Sequence, residues 1–274
     1  MPDKLSAIVL AGNGANCERE TAHGCRIGGF HQVDIVTVWE LVDGEVDLGG
    51  YDLLCLAGGF LDGDDLGSAK AQANRLRYSR IRTSNEPVID AFLRFIADGK
   101  LVLGICNGFQ LMVKLGLLPG FDGEYTTQVV TLTHNDSGRF EDRWVWLRAN
   151  RQTPCVFTRG MDTAYFPVRH GEGKFVAKEK DVLTRLKGNN QVVFHYMDPS
   201  SGSPTISYPD NPNGSQHAIA GICDPSGRVF GMMPHPEAYL HRTNHPRWTR
   251  EELPEEGMGV RLFINAFEYL NSRT

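Results

Sequence analysis

At 274 residues the chain has room for one generous α/β domain or two small ones. Its 28 Lys and Arg stand against 33 Asp and Glu, so it lacks the basic footprint of a nucleic-acid binder, and no polybasic amphipathic stretch points to a membrane. The six cysteines are scattered with no Cys-x-x-Cys pair, which argues against a zinc site or a disulfide framework and fits a reducing, cytoplasmic setting.

Leu5–Leu10 reads as a first strand, too short for a signal-peptide core or a membrane span and without a cleavage site. A glycine turn follows (Gly12, Gly14), then an amphipathic helix from Cys17 to Ile27. The turn lacks the third glycine of a dinucleotide loop, since Cys17 stands there. Val33–Val38 predicts a second strand and Asp52–Ala57 a third, the latter ending at Gly58-Gly59-Phe60, where open α/β sheets place ligands. Asp62, Asp64 and Asp65 read as a solvated turn, followed by helices over Ser68–Ile81 and Glu86–Ala97. The apolar run Leu101–Ile105 then passes through Cys106 into a helical pattern that reaches Leu118.

Beyond Pro119 the runs shorten. Thr126–Thr133, Trp144–Leu147 and Ala164–Val168 predict antiparallel strands, with further strands at Gln191–Phe194, His217–Ile222 and Val229–Met233. Pro199–Gly214 reads as a long loop, Trp248–Gly257 as a solvated one, and Val260–Leu270 as a closing helix. With no linker and no repeat, residues 1–274 are expected to form one domain: α/β, a doubly wound, mostly parallel sheet with flanking helices and an antiparallel elaboration in the second half.

The chemistry centres on Gly104-Ile105-Cys106-Asn107-Gly108. A glycine two residues to either side of a nucleophile, between strand and helix, is the pattern of a sharp elbow. A cysteine at its tip lies at a helix N-terminus, where free N–H groups favour a thiolate. A nucleophile needs a base, and the base needs an orienting group. Of nine histidines, His235 has the best context: it leaves an apolar strand, is held between Pro234 and Pro236, and precedes Glu237 by two residues. In extended chain that spacing puts both side chains on one face, giving a Cys106–His235–Glu237 triad. His235, His241 and His245 read as a surface segment rather than a metal site, and no metal is expected.

These motifs resemble those of class I glutamine amidotransferases, a flavodoxin-like fold. More narrowly, the chain resembles the glutaminase subunits of phosphoribosylformylglycinamidine synthases. The narrower likeness is carried by Asn16-Cys17-Glu18-Arg19-Glu20, Gly58-Gly59-Phe60 with Gly63-Asp64, Ser137–Glu141, His170-Gly171-Glu172-Gly173, Asn211–Ser215, Ile219–Ile222 and Gly231–Glu237. It departs from the family at Ala238, where arginine is usual, and in the loop Leu61–Leu66.

The resemblance implies that the Cys106 thiolate attacks the side-chain carboxamide of L-glutamine. The oxyanion would be met by the amide of Asn107 and one from Gly59 or Phe60. Gln110, and the backbone of His170 and Gly171, would help hold the substrate. His235 would protonate the departing ammonia and then activate water against the thioester. It also implies that ATP and Mg belong to the partner, since no phosphate-binding Gly-x-x-x-x-Gly-Lys-Ser/Thr loop occurs here. The partners would be a large synthase subunit and a small bridging subunit, and the isolated chain would be a weak glutaminase. Rival readings are a glutaminase of another synthase, against which the His-Gly-Glu-Gly and Gly-Met-Met motifs speak, a cysteine-elbow hydrolase or chaperone, and a silent interaction subunit.

Overall fold

A computed structural model describes residues 4–273. In the first half, strands and helices alternate: β1 (Ser6–Ala11), α1 (Glu18–Ile27), β2 (Gln32–Thr37), α2 (Val38–Asp43), β3 (Leu53–Leu56), α3 (Lys70–Tyr78), α4 (Val88–Ala97), β4 (Leu101–Ile105) and α5 (Asn107–Leu115). The second half is richer in strands: β5 (Val130–Thr133), β6 (Glu141–Ala149), β7 (Thr163–His170), β8 (Lys174–Ala177), α6 (Lys180–Gly188), β9 (Val192–Asp198), β10 (Ser203–Pro204), β11 (Ile219–Cys223), β12 (Val229–Met232) and α7 (Val260–Asn271).

One sheet runs β2-β1-β3-β4-β12-β11-β9-β6-β7, with β10 paired to β9, while β5 and β8 form a separate pair. From β2 to β12 all neighbours are parallel, and from β12 to β7 all are antiparallel. Strand order 2-1-3-4 followed by a late fifth strand is the flavodoxin-like arrangement, whose switch point lies between β1 and β3. The central strands β1, β3, β4 and β12 are buried at every residue, as a sheet covered by helices on both faces requires. The α1 helix packs on α7, and α3 packs on α4 and α5.

Local chemistry explains where the elements differ from the sequence reading. Val38 opens a helix rather than closing a strand. Thr37 and Glu40 form a reciprocal cap there, with the Glu40 amide donating to the Thr37 hydroxyl (3.2 Å) and the Thr37 amide donating to the Glu40 carboxylate (2.7 Å). The α5 helix stops at Leu115 because Gly116 turns left-handed (φ 84°), so Leu117 and Leu118 are buried outside the helix. Neither β8 nor α6 was anticipated, and Thr126–Val129 precede the strand rather than belonging to it. His241 is exposed and bonded to Glu255, whereas His245 is buried against Trp144, Tyr165 and Tyr239, so the histidine segment is neither uniformly exposed nor one cluster. No helix among the described residues is long and apolar enough to cross a membrane.

Candidate active site

Cys106 sits between β4 and α5 with φ 51° and ψ −103°, a conformation an L-residue adopts only under constraint. The constraint comes from both sides. A Cβ on Gly108 would lie 2.0 Å from the Leu56 carbonyl oxygen, and one on Gly104 would lie 2.3 Å from Met112 Sδ and 2.9 Å from the Gly108 backbone. The glycines therefore let helix and strands close to a distance no side chain permits. The Cys106 amide donates to Met232 O (2.8 Å), fastening the elbow to the end of β12. The thiol is buried and points at Arg169 O, 3.6 Å away.

Because β12 runs parallel beside β4, the chain leaving β12 arrives alongside the elbow. The His235 amide donates to Pro167 O (2.8 Å), which ties the loop to β7 as well. Pro236–Ala238 form a single 3-10 turn, so His235 and Glu237 meet through that turn and not through the extended chain the sequence implied. Nδ1 of His235 lies 2.5 Å from Glu237 Oε1, and both side chains are buried. Burial disfavours the imidazolium, but the Glu237 carboxylate and then the Cys106 side chain outweigh it and raise the His235 pKa well above its ordinary value. Nε2, the other ring nitrogen, is buried with no partner at hydrogen-bond distance among the described residues.

Of the two oxyanion donors considered on the β3 loop, Phe60 is spent: its amide donates to Gly14 O (2.8 Å). The Gly59 amide donates to no group among the described residues. Asn107 opens α5, so its N–H has no acceptor one turn earlier. Its side chain holds the two donor loops together, with Oδ1 accepting from the Leu61 amide (3.2 Å) and Nδ2 donating to Gln110 Oε1 (3.1 Å). Gln110 in turn donates to Glu172 O (2.7 Å). Both ends of the Gln110 amide are thus engaged by protein, and its place is in this brace rather than open to substrate.

His170, expected to meet the substrate through its backbone, sits among asparagines. Its ring is buried, with Nδ1 3.2 Å from Asn135 Oδ1 and Nε2 3.4 Å from Asn213 Nδ2, and its carbonyl accepts from Asn135 Nδ2 (2.8 Å). Burial, and then the charge on His235, push its pKa down to about 3, so the ring is neutral. Gly171 lies next to this knot, its carbonyl accepting from the Asn135 amide (3.0 Å). The residue of this strand end that reaches the thiol is Arg169, which sequence reasoning passed over. It missed Cys17 as well, whose Sγ is 3.8 Å from His235 Nδ1. The signal for Cys17 was its position just past the first strand's loop, at the same sheet edge as the elbow.

A cavity of about 220 Å³ opens beside His235 and Glu237, which line it with Gly59, Phe60, Phe140 and Arg169 among others. The rings of Phe60 and Phe140, both exposed, have their centroids 6.1 Å apart.

A family model described as a CobB/CobQ-like glutamine amidotransferase domain matches residues 4–270. The chain is 39% identical to "Phosphoribosylformylglycinamidine synthase subunit PurQ" of Methanococcus maripaludis, over 96% of this chain and 97% of that protein. It is 41% identical to the protein of the same name from Dehalococcoides mccartyi, over 97% and 98%. Among solved structures it is similar to a chain of PurLQS from Thermotoga maritima, with a TM-score of 0.69 and 28% identity over 97% of this chain and 99% of that one.

Proposed function

The chain belongs to the CobB/CobQ-like glutamine amidotransferase family, and on that premise we propose that Cys106, His235 and Glu237 hydrolyse L-glutamine to glutamate and ammonia. The ammonia serves phosphoribosylformylglycinamidine synthase, as the names and near-complete overlap of the two PurQ relatives support. The partners are a PurL-type and a PurS-type subunit, in keeping with the PurLQS assembly from Thermotoga maritima. The ATP and Mg of the amination belong to the partner, and the setting is the cytoplasm. The observation that carries the reading is a cysteine on a strained elbow with a buried His–Glu pair brought alongside it by the neighbouring parallel strand.

The high proton affinity of His235 makes it the acceptor of the Cys106 proton, freeing the sulfur to attack the carboxamide carbon. The amides of Gly59 and Asn107 receive the charge that develops on oxygen. His235 returns its proton to the nitrogen, the C–N bond breaks, ammonia leaves, and a γ-glutamyl thioester remains on Cys106. His235, now neutral, takes a proton from water, whose oxygen adds to the thioester. Collapse expels the sulfur and yields glutamate. Throughout, Glu237 holds Nδ1 and balances the charge on the ring. Arg169 and Glu20 both line the cavity and offer charges of opposite sign to the carboxylate and ammonium of the amino-acid head group.

The test is glutamine turnover by the purified chain with and without the synthase. A rate that rises on complex formation supports a subunit whose ammonia is meant for a partner. An unchanged rate sinks the coupling.

A further inference from the structure

The catalytic imidazole has a second cysteine beside it. Cys17 immediately precedes α1, and its Sγ is 3.8 Å from His235 Nδ1, the nitrogen that Glu237 already holds at 2.5 Å. The sulfur, Nδ1 and a Glu237 carboxylate oxygen all lie within 4.8 Å of one another. Gly58 admits this crowding, since a Cβ there would stand 2.9 Å from His235 Cε1 and 3.4 Å from Cys17 Sγ. Glu237 is 2% exposed, and its Oε2 has no hydrogen-bond partner among the described residues, so the carboxylate keeps an acceptor oxygen that the triad does not use. All three side chains line the same cavity of about 220 Å³, which leaves room for a fourth ligand from solvent.

We propose that Cys17, His235 and Glu237 form a binding site for a divalent cation of the zinc class, and that its occupancy switches glutamine hydrolysis off. The donor set selects the ion: one thiolate, one imidazole and one carboxylate suit a borderline-soft metal, whereas magnesium and calcium take oxygen ligands. The spacing suits it too. Sulfur and nitrogen ligands of a tetrahedral zinc ion stand about 3.6 Å apart, given bond lengths of about 2.3 and about 2.05 Å. Coordination requires Glu237 to turn its carboxylate from Nδ1 to the metal.

The proton balance produces the switch. Binding releases the thiol proton of Cys17 and the proton on Nδ1 to solvent, and the proton left on the ring stays on Nε2. An imidazole ligated through Nδ1 and protonated at Nε2 donates but does not accept. The ring then has no proton to spare for the departing nitrogen, since giving up Nε2–H would leave an imidazolate, and no free nitrogen to take one from water, although the metal never touches the Cys106 sulfur. The switch rests on the glutaminase assignment above, whereas the binding site does not.

The experiment titrates the full chain with cobalt(II) chloride and follows the thiolate-to-cobalt charge-transfer absorption in the near ultraviolet, with zinc sulfate as competitor. The expected result is a band that Cys106→Ser keeps and Cys17→Ser loses. Inhibition by zinc of glutamine hydrolysis in the synthase complex, scored against each variant's own metal-free rate, should weaken at least about tenfold in Cys17→Ser. Should that variant not fold, the unaltered chain answers by peptide mass spectrometry, because zinc should slow alkylation of Cys17 by iodoacetamide. A band lost in Cys106→Ser but kept in Cys17→Ser overturns the site, as does no band at all or alkylation of Cys17 indifferent to zinc. A chain that shows the band yet hydrolyses no glutamine with its synthase overturns the glutaminase assignment and the switch with it, and leaves the binding site standing.

Discussion

Glu237 and His170 show how neighbouring buried groups are used in opposite ways. The Glu237 carboxylate makes a cation of His235, whereas the asparagines around His170 hold a neutral ring. Glu237→Gln keeps the shape and removes the charge. It should lower kcat on the order of a hundred- to ten-thousandfold with little change in KM. The alkaline limb of the rate profile, where the imidazolium loses its proton, should move to lower pH as the His235 pKa falls. Steady-state kinetics across pH checks both.

For His170 the folded pKa of about 3 lies below the unfolded value of 6.5. The unfolded chain therefore binds the extra proton first on acidification. The stability that the neutral ring contributes is complete above the unfolded pKa and is lost as pH falls towards 3. Between about pH 7.5 and about pH 5 that loss is about 2 kcal/mol. Urea unfolding at the two pH values should show a difference smaller by this amount in His170→Gln, and an identical pH dependence in both proteins would contradict it. The proposed triad could be picked out at the residue scale because its members carry local marks, a glycine-flanked cysteine and a proline-held His-x-Glu. The brace from Leu61 through Asn107 and Gln110 to Glu172 was not. Its side chains, Asn107 and Gln110, are ordinary polar ones that meet each other and backbone groups up to 62 positions away.

At the scale of elements, the site depends on how closely α5 approaches β3 and β4. Gly108→Ala puts a methyl group 2.0 Å from Leu56 O, a carbonyl at the end of a buried strand that has no room to retreat. The variant should lose at least about 2 kcal/mol of stability by urea denaturation, and more activity than stability because the elbow itself is displaced. A variant as stable and active as the parent would contradict this account of the two glycines. The buried parallel strands and the longer amphipathic helices were readable because burial writes its period into the chain. What escaped had weaker signals. The α2 helix is set by a cap, α5 ends at a left-handed glycine, β8 is only four residues long, and α6 is short and mostly polar.

For the whole molecule, the decisive fact is the sheet order, which no single stretch of sequence contains. A late strand returns to lie parallel beside β4, and that return delivers His235 to Cys106 across 129 positions of chain (235 − 106). The sequence supported the parallel first half and the antiparallel second half separately, and the structure joins them at β12. The glutaminase face is then the carboxyl edge of the parallel half, from which ammonia must pass to a partner. The most direct test of that division of labour is Cys106→Ala, assembled with the synthase and assayed for amination of formylglycinamide ribonucleotide with either glutamine or ammonium as nitrogen donor. Glutamine-dependent amination should vanish while ammonium-dependent amination persists at the parent rate. Continued glutamine-dependent amination without the Cys106 sulfur would contradict the account.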